Sequence, residues 1–209
     1  PTTFTPQQLI QHLEGMKGQL LWCECLSQRN LPKSTVTRLY IDRDLKRDSC
    51  EYSESERLED FKMCMEKLNN SFGECDWAIS QRHGYNQDKN LHCISWHFVC
   101  LDLYIQYTDT PFLLEQKGLD NIFDTAVYKV SEQLWQLPWC HKTTKDKRIL
   151  TPINFKNKLA YHFVQNTENA NDLNTIKIKI DECDHVKKRM KMQHIQPKDV
   201  NYTENKQVN

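Results

Sequence analysis

Apolar and polar side chains alternate with a period of two along residues 92–99, HCISWHFV. On a strand this turns Ile94, Trp96, Phe98 and Cys100 toward a core and gathers Cys93, Ser95 and His97 on the other, outward face. Residues 36–44, VTRLYIDRD, alternate in the same way. Leu39 and Ile41 face a core, Asp42 and Asp44 project together near the strand's end, and Arg43 turns at the rim. Shorter strands are predicted at 19–26 (QLLWCECL), broken by Asn30-Leu31-Pro32, and at 75–80 (CDWAIS). Residues 134–142, LWQLPWCHK, carry a strand-like run, then a proline, and end in the exposed pair His141 and Lys142.

Helical spacing separates these runs. Thr5-Pro6-Gln7-Gln8 combines a threonine cap, a first-turn proline and a glutamine placed to close a capping box, and Leu9, Ile10, Leu13 and Met16 follow as a stripe to pack on a sheet. Ser53-Glu54-Ser55-Glu56 is a second capping box, followed by Leu58, Phe61, Met65 and Leu68 as far as Asn69 or Asn70. Thr110-Pro111 opens a short helix that ends near Gly118. Residues 81–86, QRHGYN, form a loop in which Gly84 permits a turn and Arg82 and His83 are placed to meet phosphates. In IFDTAVYKV, residues 122–130, Asp124 follows Phe123 in an apolar context, where an ionised carboxylate is costly unless paired or metal-bound.

Beyond about Phe163 the texture becomes polar. QNTENANDLN reads as a linker, and the charged stretch from Asp181, with the KKRMK cluster at 187–191, reads as a solvated tail. A catalytic-type domain is therefore expected at 1–163 and a partly disordered tail at 164–209. The balance of 28 basic and 28 acidic residues provides no global positive field, so any nucleic acid must be held by a local groove. Nine cysteines without a C-x-x-C pair point to free thiols in a reducing compartment. Cys93 and His97 stand four residues apart, roughly 13 Å on a strand and too far to share one zinc ion, and Cys23 and Cys25 lack a matching second pair. No run of about 18 apolar residues crosses a bilayer and no signal peptide opens the chain, so an intracellular protein without a membrane partner is expected.

In order, the chain presents an h-D-x-D strand end (Asp42, Asp44), an S-x-H strand (Ser95, His97), an h-D followed by x-x-V-Y (Asp124, Val127, Tyr128), and L-W-Q-L-P-W-C-H-K ending at Lys142. Over about residues 36–152 this series resembles the archaeo-eukaryotic primase superfamily, most closely the primase-polymerases and the primase modules of primase-helicases from large DNA viruses. The resemblance implies an α/β (α+β) fold with a mostly antiparallel central sheet flanked by helices. It also implies DNA primase/polymerase activity in DNA replication, with a single-stranded DNA template, NTP or dNTP, and a helicase domain or subunit as partners. Asp42, Asp44 and Asp124 are expected to hold two Mg2+ or Mn2+ ions, and Ser95, His97, Lys142 and Arg82 to bind the nucleotide.

The chemistry agrees with those residue types. Nucleotidyl transfer uses two ions ~3.5 to 4 Å apart, which oxygen ligands on neighbouring strands hold well. A histidine and a lysine near the phosphates answer the developing negative charge. Two positions depart from the family pattern: Gln136 stands where arginine is usual, and Cys93 where a basic residue is frequent. Either Arg82, Arg43 or Lys145 substitutes for the missing charge, or activity is weak. Arginine restored at 136 is expected to tighten nucleotide binding unless Arg82 already fills that space. Two alternatives stay open: a non-catalytic DNA-binding or docking module of a replication protein, and a metal-dependent nuclease.

Overall fold

The computed structural model describes residues 6–27, 31–32, 34–128, 132–167, 170–171 and 173–177. They form an α+β fold: a mostly antiparallel sheet with three helices, α1 (Pro6–Gly15), α2 (Glu54–Phe72) and α3 (Thr110–Gln116). The chain divides into two compact units, residues 1–178 and 179–209, and the second lies outside the described residues together with the KKRMK cluster and Thr5. No helix among the described residues is long and apolar enough to cross a membrane.

The two alternating runs become the heart of the sheet. β2 (Val36–Arg47) and β5 (Leu91–Gln106) pair antiparallel, with Asp42 opposite His97, Asp44 opposite Ser95 and Ile41 opposite Phe98. On its other side β5 takes β3 (Trp77–Gln81), which in turn takes β7 (Thr151–Pro152). Directly opposed residues share a face. Ile41, Arg43, Trp96, Phe98 and Ile79 therefore lie on one side, and Asp42, Asp44, Ser95, His97 and Ser80 on the other. β5 is longer than its alternation suggested. Past Val99 it bulges, with Leu39 alone standing opposite residues 100–103, before pairing resumes at Arg38 and Tyr104.

The first face packs on α2, whose capping box forms as expected: Ser53 Oγ accepts from Glu56 N (3.2 Å) and Glu56 Oε2 accepts from Ser53 N (2.7 Å). Its buried stripe differs from the apolar one. Leu58 is half exposed at 51%, whereas Asp60, Cys64 and Leu68 are buried. Asp60 takes that position because three donors satisfy it: Arg43 Nε (3.1 Å), Arg43 Nη2 (2.7 Å) and Trp96 Nε1 (3.1 Å). A hydrogen-bonded ion pair thus replaces a leucine at the helix–sheet contact, and Phe61 packs at a tilt against Trp96 beside it (5.0 Å between ring centroids).

The segment at 19–26 does not join this sheet. Only Cys23–Leu26 forms a strand, β1, which pairs with β6 (Gln133–Gln136) as a separate two-stranded ribbon. α1 packs through Leu13 on Leu137, Cys140, Leu159 and Phe163, a small core of its own instead of the sheet. The loop at 81–86 contains β4 (Gly84–Asn86), which pairs with the start of β5 through Gly84 in a positive-φ conformation (106°). The chain also stays on the sheet past Phe163. Glu24 accepts hydrogen bonds from Val164 N and Gln165 N (2.8 Å each), Arg38 N donates to Val164 O (2.8 Å), and β8 (Thr175–Ile176) pairs parallel with β5. Backbone pairing and one half-buried carboxylate hold this polar stretch, features that composition does not register.

Candidate functional site

One row of side chains crosses the sheet on the face away from α2. Asp42 on β2, His97 on β5 and Ser80 on β3 stand side by side, and Asp44 and Ser95 form the next rung. Arg82 continues that rung, because its N–H donates to Ser95 O (3.0 Å) just after β3 ends. His97 Nε2 lies 3.4 Å from Asp42 Oδ1. Asp42 Oδ1, Asp44 Oδ1, Ser95 Oγ and His97 Nδ1 are all buried with no hydrogen-bond partner. Buried polar atoms are rarely left so, and a cluster of them on one face is suited to a ligand or ion.

The β1–β6 ribbon roofs this face. Trp135 packs on Tyr40 (4.9 Å) and on the His97 ring (4.3 Å), so Ser95 and His97 are buried and not on an open face as alternation alone suggested. Between roof and sheet lies a cleft of ≈ 240 Å³. Asp42, Arg82, His97, Gln136 and Lys142 supply its polar wall, and Leu21, Trp22, Val127, Leu134 and Trp135 its apolar one. Leu21 and Leu134 are exposed at the rim, at 44% and 56%.

Asp124 reaches the same place by a different route. It is not on a strand: it caps a short 3-10 turn (Thr125–Val127), its Oδ1 accepting from Ala126 N (2.8 Å), while its own N–H donates to Asp42 O (2.8 Å). A carboxylate at a turn N-terminus is favoured by the unpaired N–H groups there, which an h-D-x-x pattern does not distinguish from a strand end. The three carboxylates are neighbours, but their ligating atoms do not all lie within 4.8 Å of one another. Asp44 Oδ2 is held by Lys46 Nζ at 2.8 Å.

The electrostatics follow from burial. Burial above all, with Asp44 and then Asp124 adding like charge, pushes the Asp42 carboxyl well above the ordinary carboxylate range, while Arg82 and Lys142 pull it back. His97 is held well below the usual histidine range, first by burial and then by Arg82 and Lys142, so its imidazole is neutral. Lys142, exposed on the loop after β6, is lowered by partial loss of solvent against the cleft and by Arg82, and raised by Asp42 and Asp44. Arg82 is the cation that fills the space at position 136: its Nη1 donates to Gln136 Oε1, and Gln136 Nε2 donates in turn to Cys140 O (2.5 Å). Arg43 points to the α2 face, and Lys145 is exposed and does not line the cleft.

Sequence reasoning missed Trp135 as the roof and Arg148 as a second, half-buried cation. Arg148 is paired twice with Asp146 (2.7 Å each), donates to Arg82 O and Gly84 O, and reaches the Cys93 sulfur where a basic residue is frequent in the resembled family. His83 does not face the cleft as a phosphate donor. Its Nδ1 accepts from Ser95 N (3.1 Å) and its ring stands edge-on to Trp96. The chain matches no protein-family model, and no curated protein matches its sequence.

Proposed function

We propose that the chain is a DNA primase/polymerase of the archaeo-eukaryotic primase type, catalysing template-dependent nucleotidyl transfer. The observation that carries the reading is the unpartnered set Asp42 Oδ1, Asp44 Oδ1, Ser95 Oγ and His97 Nδ1 on one sheet face, beside the cations Arg82 and Lys142 in one cleft. Asp42 and Asp44, with Asp124 tied to the Asp42 backbone, would hold Mg2+ or Mn2+, because buried carboxylate oxygens without donors are the hard ligands these ions take. Such ions supply charge neutralisation on a triphosphate and a more acidic 3′ hydroxyl.

The chain's own groups have distinct tasks in this reading. Arg82, oriented by Gln136, and Lys142 bring positive charge to the phosphates. His97 is neutral and braced by Trp135, so it contributes an oriented N–H to a phosphate oxygen and not a third charge. The apolar wall of Leu21, Val127 and Leu134 receives the sugar and base and keeps water from the reacting atoms. Lys46 on Asp44, and the open spacing of the carboxylates, favour a second reading in which a docking module keeps the fold but not the reaction.

Primed single-stranded DNA incubated with the protein, Mn2+ and labelled nucleotides separates the readings. Primer extension that follows the template supports the proposal. DNA binding without extension supports the docking module, and shortened DNA a nuclease; either of these outcomes refutes polymerase activity.

A further inference from the structure

Where β5 bulges away from β2, its pairing on the other side with the chain entering β3 assembles a group of side chains that lies on the α2 side of the sheet and has no part in the cleft. Cys100 is wholly buried at the start of the bulge and Asp102 is exposed within it, while Cys75 stands just past the end of α2. The sulfur atoms of Cys75 and Cys100 and a carboxylate oxygen of Asp102 all lie within 4.8 Å of one another, the one such set of three among the described residues. Each member is held in place. Asp102 Oδ2 accepts from Asp76 N (2.6 Å), Leu101 N donates to Asp76 O (2.8 Å), and Trp77 pairs with Cys100 across the sheet.

We propose that Cys75, Cys100 and Asp102 form a binding site for a thiophilic divalent cation of the Zn2+ class, with the fourth position open to water. Two sulfurs and one carboxylate are the donor set that a tetrahedral, borderline-soft ion prefers over Mg2+ or Mn2+. The surroundings suit a bound thiolate. The backbone N–H groups of Asp102 and Leu103 approach the Cys100 sulfur and favour its anionic form. Beyond burial, Asp102 and Asp76 add negative charge beside Cys75, which holds its thiol up in the absence of metal and attracts a cation. Without a metal, burial keeps the Cys100 thiol protonated at neutral pH, its value pushed up to about 12. Binding therefore exchanges protons for the ion: M2+ plus two thiols gives the dithiolate complex and two protons released to solvent. The product is a clip joining the start of β3 to the middle of β5.

The test uses the full chain, purified with reductant and then freed of it, titrated with Cd2+ alone and with Zn2+ alone. The expected result is one Cd2+ per chain with thiolate-to-metal absorption, a melting temperature that rises with Zn2+ concentration, and proton release on binding. Cys75→Ser is expected to abolish all three, and Asp102→Asn to lower affinity at least about tenfold, since even outer-shell losses cost that much. Cys50→Ser, an exposed thiol elsewhere, keeps the parent behaviour. Cys75 and Asp102 carry the test because Cys100 is fully buried and its replacement perturbs the core. Absence of stoichiometric binding, or binding by Cys75→Ser equal to the parent's, overturns the proposal. Neither result depends on nucleotidyl transfer.

Discussion

Exchanging Gln136 for arginine is expected to destabilise the protein and weaken nucleotide binding, even though arginine is usual at this position in the family the sequence resembles. The substitution has two costs. The buried Arg82 guanidinium loses its acceptor, Gln136 Oε1, and a hydrogen bond to a charged group is worth about 1.5 to 3 kcal/mol. A second guanidinium then stands beside the first. Two like charges ~4 Å apart repel by ~4 kcal/mol at an effective dielectric constant near 20. Asp42 and Asp44 relieve part of this, leaving a net loss on the order of 4 kcal/mol, or roughly 8 to 16 °C in melting temperature for a chain of this size. The informative partner is the exchange Arg82→Gln with Gln136→Arg, which reverses the amide–guanidinium pair and keeps a single charge. It is expected to recover most of the lost stability and the nucleotide affinity. Thermal melting and equilibrium nucleotide titration on the same three proteins decide the matter. A Gln136→Arg protein as stable as the parent with tighter binding refutes the argument, as does an exchange variant no better than the single substitution.

The other expectations concern separate parts of the molecule. Asp42→Asn removes a buried carboxyl that Asp44 and Asp124 repel, so melting temperature should be unchanged or higher while primer extension disappears; extension at the parent rate would exclude Asp42 from the reaction. Asp60→Ala strands the half-buried Arg43 and leaves Trp96 Nε1 without its acceptor, and should cost about 2 to 4 kcal/mol, measured by urea unfolding; a cost under ~1 kcal/mol would mean the pair is solvated. His162 accepts from Ser80 Oγ at Nδ1 (2.9 Å) and donates from Nε2 to Asn154 O (3.1 Å), and burial lowers it from 6.5 to about 4. The unfolded chain then binds the extra proton, so this stability is complete above pH 6.5 and is lost as pH falls toward 4, to a ceiling of ~3 kcal/mol. His83, also lowered to about 4, adds to the same acid-side slope. In His162→Gln that slope should shrink, and superimposable pH profiles for the two proteins would show that His162 is not buried as a neutral ring.

Strand periodicity made the centre of the fold legible. The alternation at 36–44 and 92–99 predicts which side chains share a face, and because the two strands pair in register, Asp42, Asp44, Ser95 and His97 meet. The Ser53 cap was readable because its signal is entirely local. What periodicity missed depends on distant pairing. Asp60 occupies an apolar stripe because Arg43 and Trp96 reach it from other strands. The ribbon of Cys23–Leu26 and Gln133–Gln136 joins segments more than a hundred residues apart, and with it comes the roof of the cleft. Cysteine spacing, likewise, is blind to Cys75 and Cys100, which only the pairing of β3 with β5 brings together. Arg82 sits beside Gln136 through a contact of the same non-local kind.

The bulge also changes the reading frame of a single strand. Four residues, 100–103, stand opposite Leu39 alone, an excess of three. Because that excess is odd, parity inverts across it. On the side packed against α2, the even-numbered Ile94, Trp96 and Phe98 are followed beyond the bulge by the odd-numbered Ile105, opposite Thr37. On the other side, the odd-numbered Ser95 and His97 are followed by Tyr104, opposite Arg38. One continuous strand therefore answers two sets of hydrophobic demands, each internally regular and out of phase with the other. Residues 91–99 are tied through their frame to the carboxylate row of β2, and residues 104–106 to β8 and the segment after Phe163. Each half can change by ordinary strand rules without disturbing the other, provided the odd excess between them is kept.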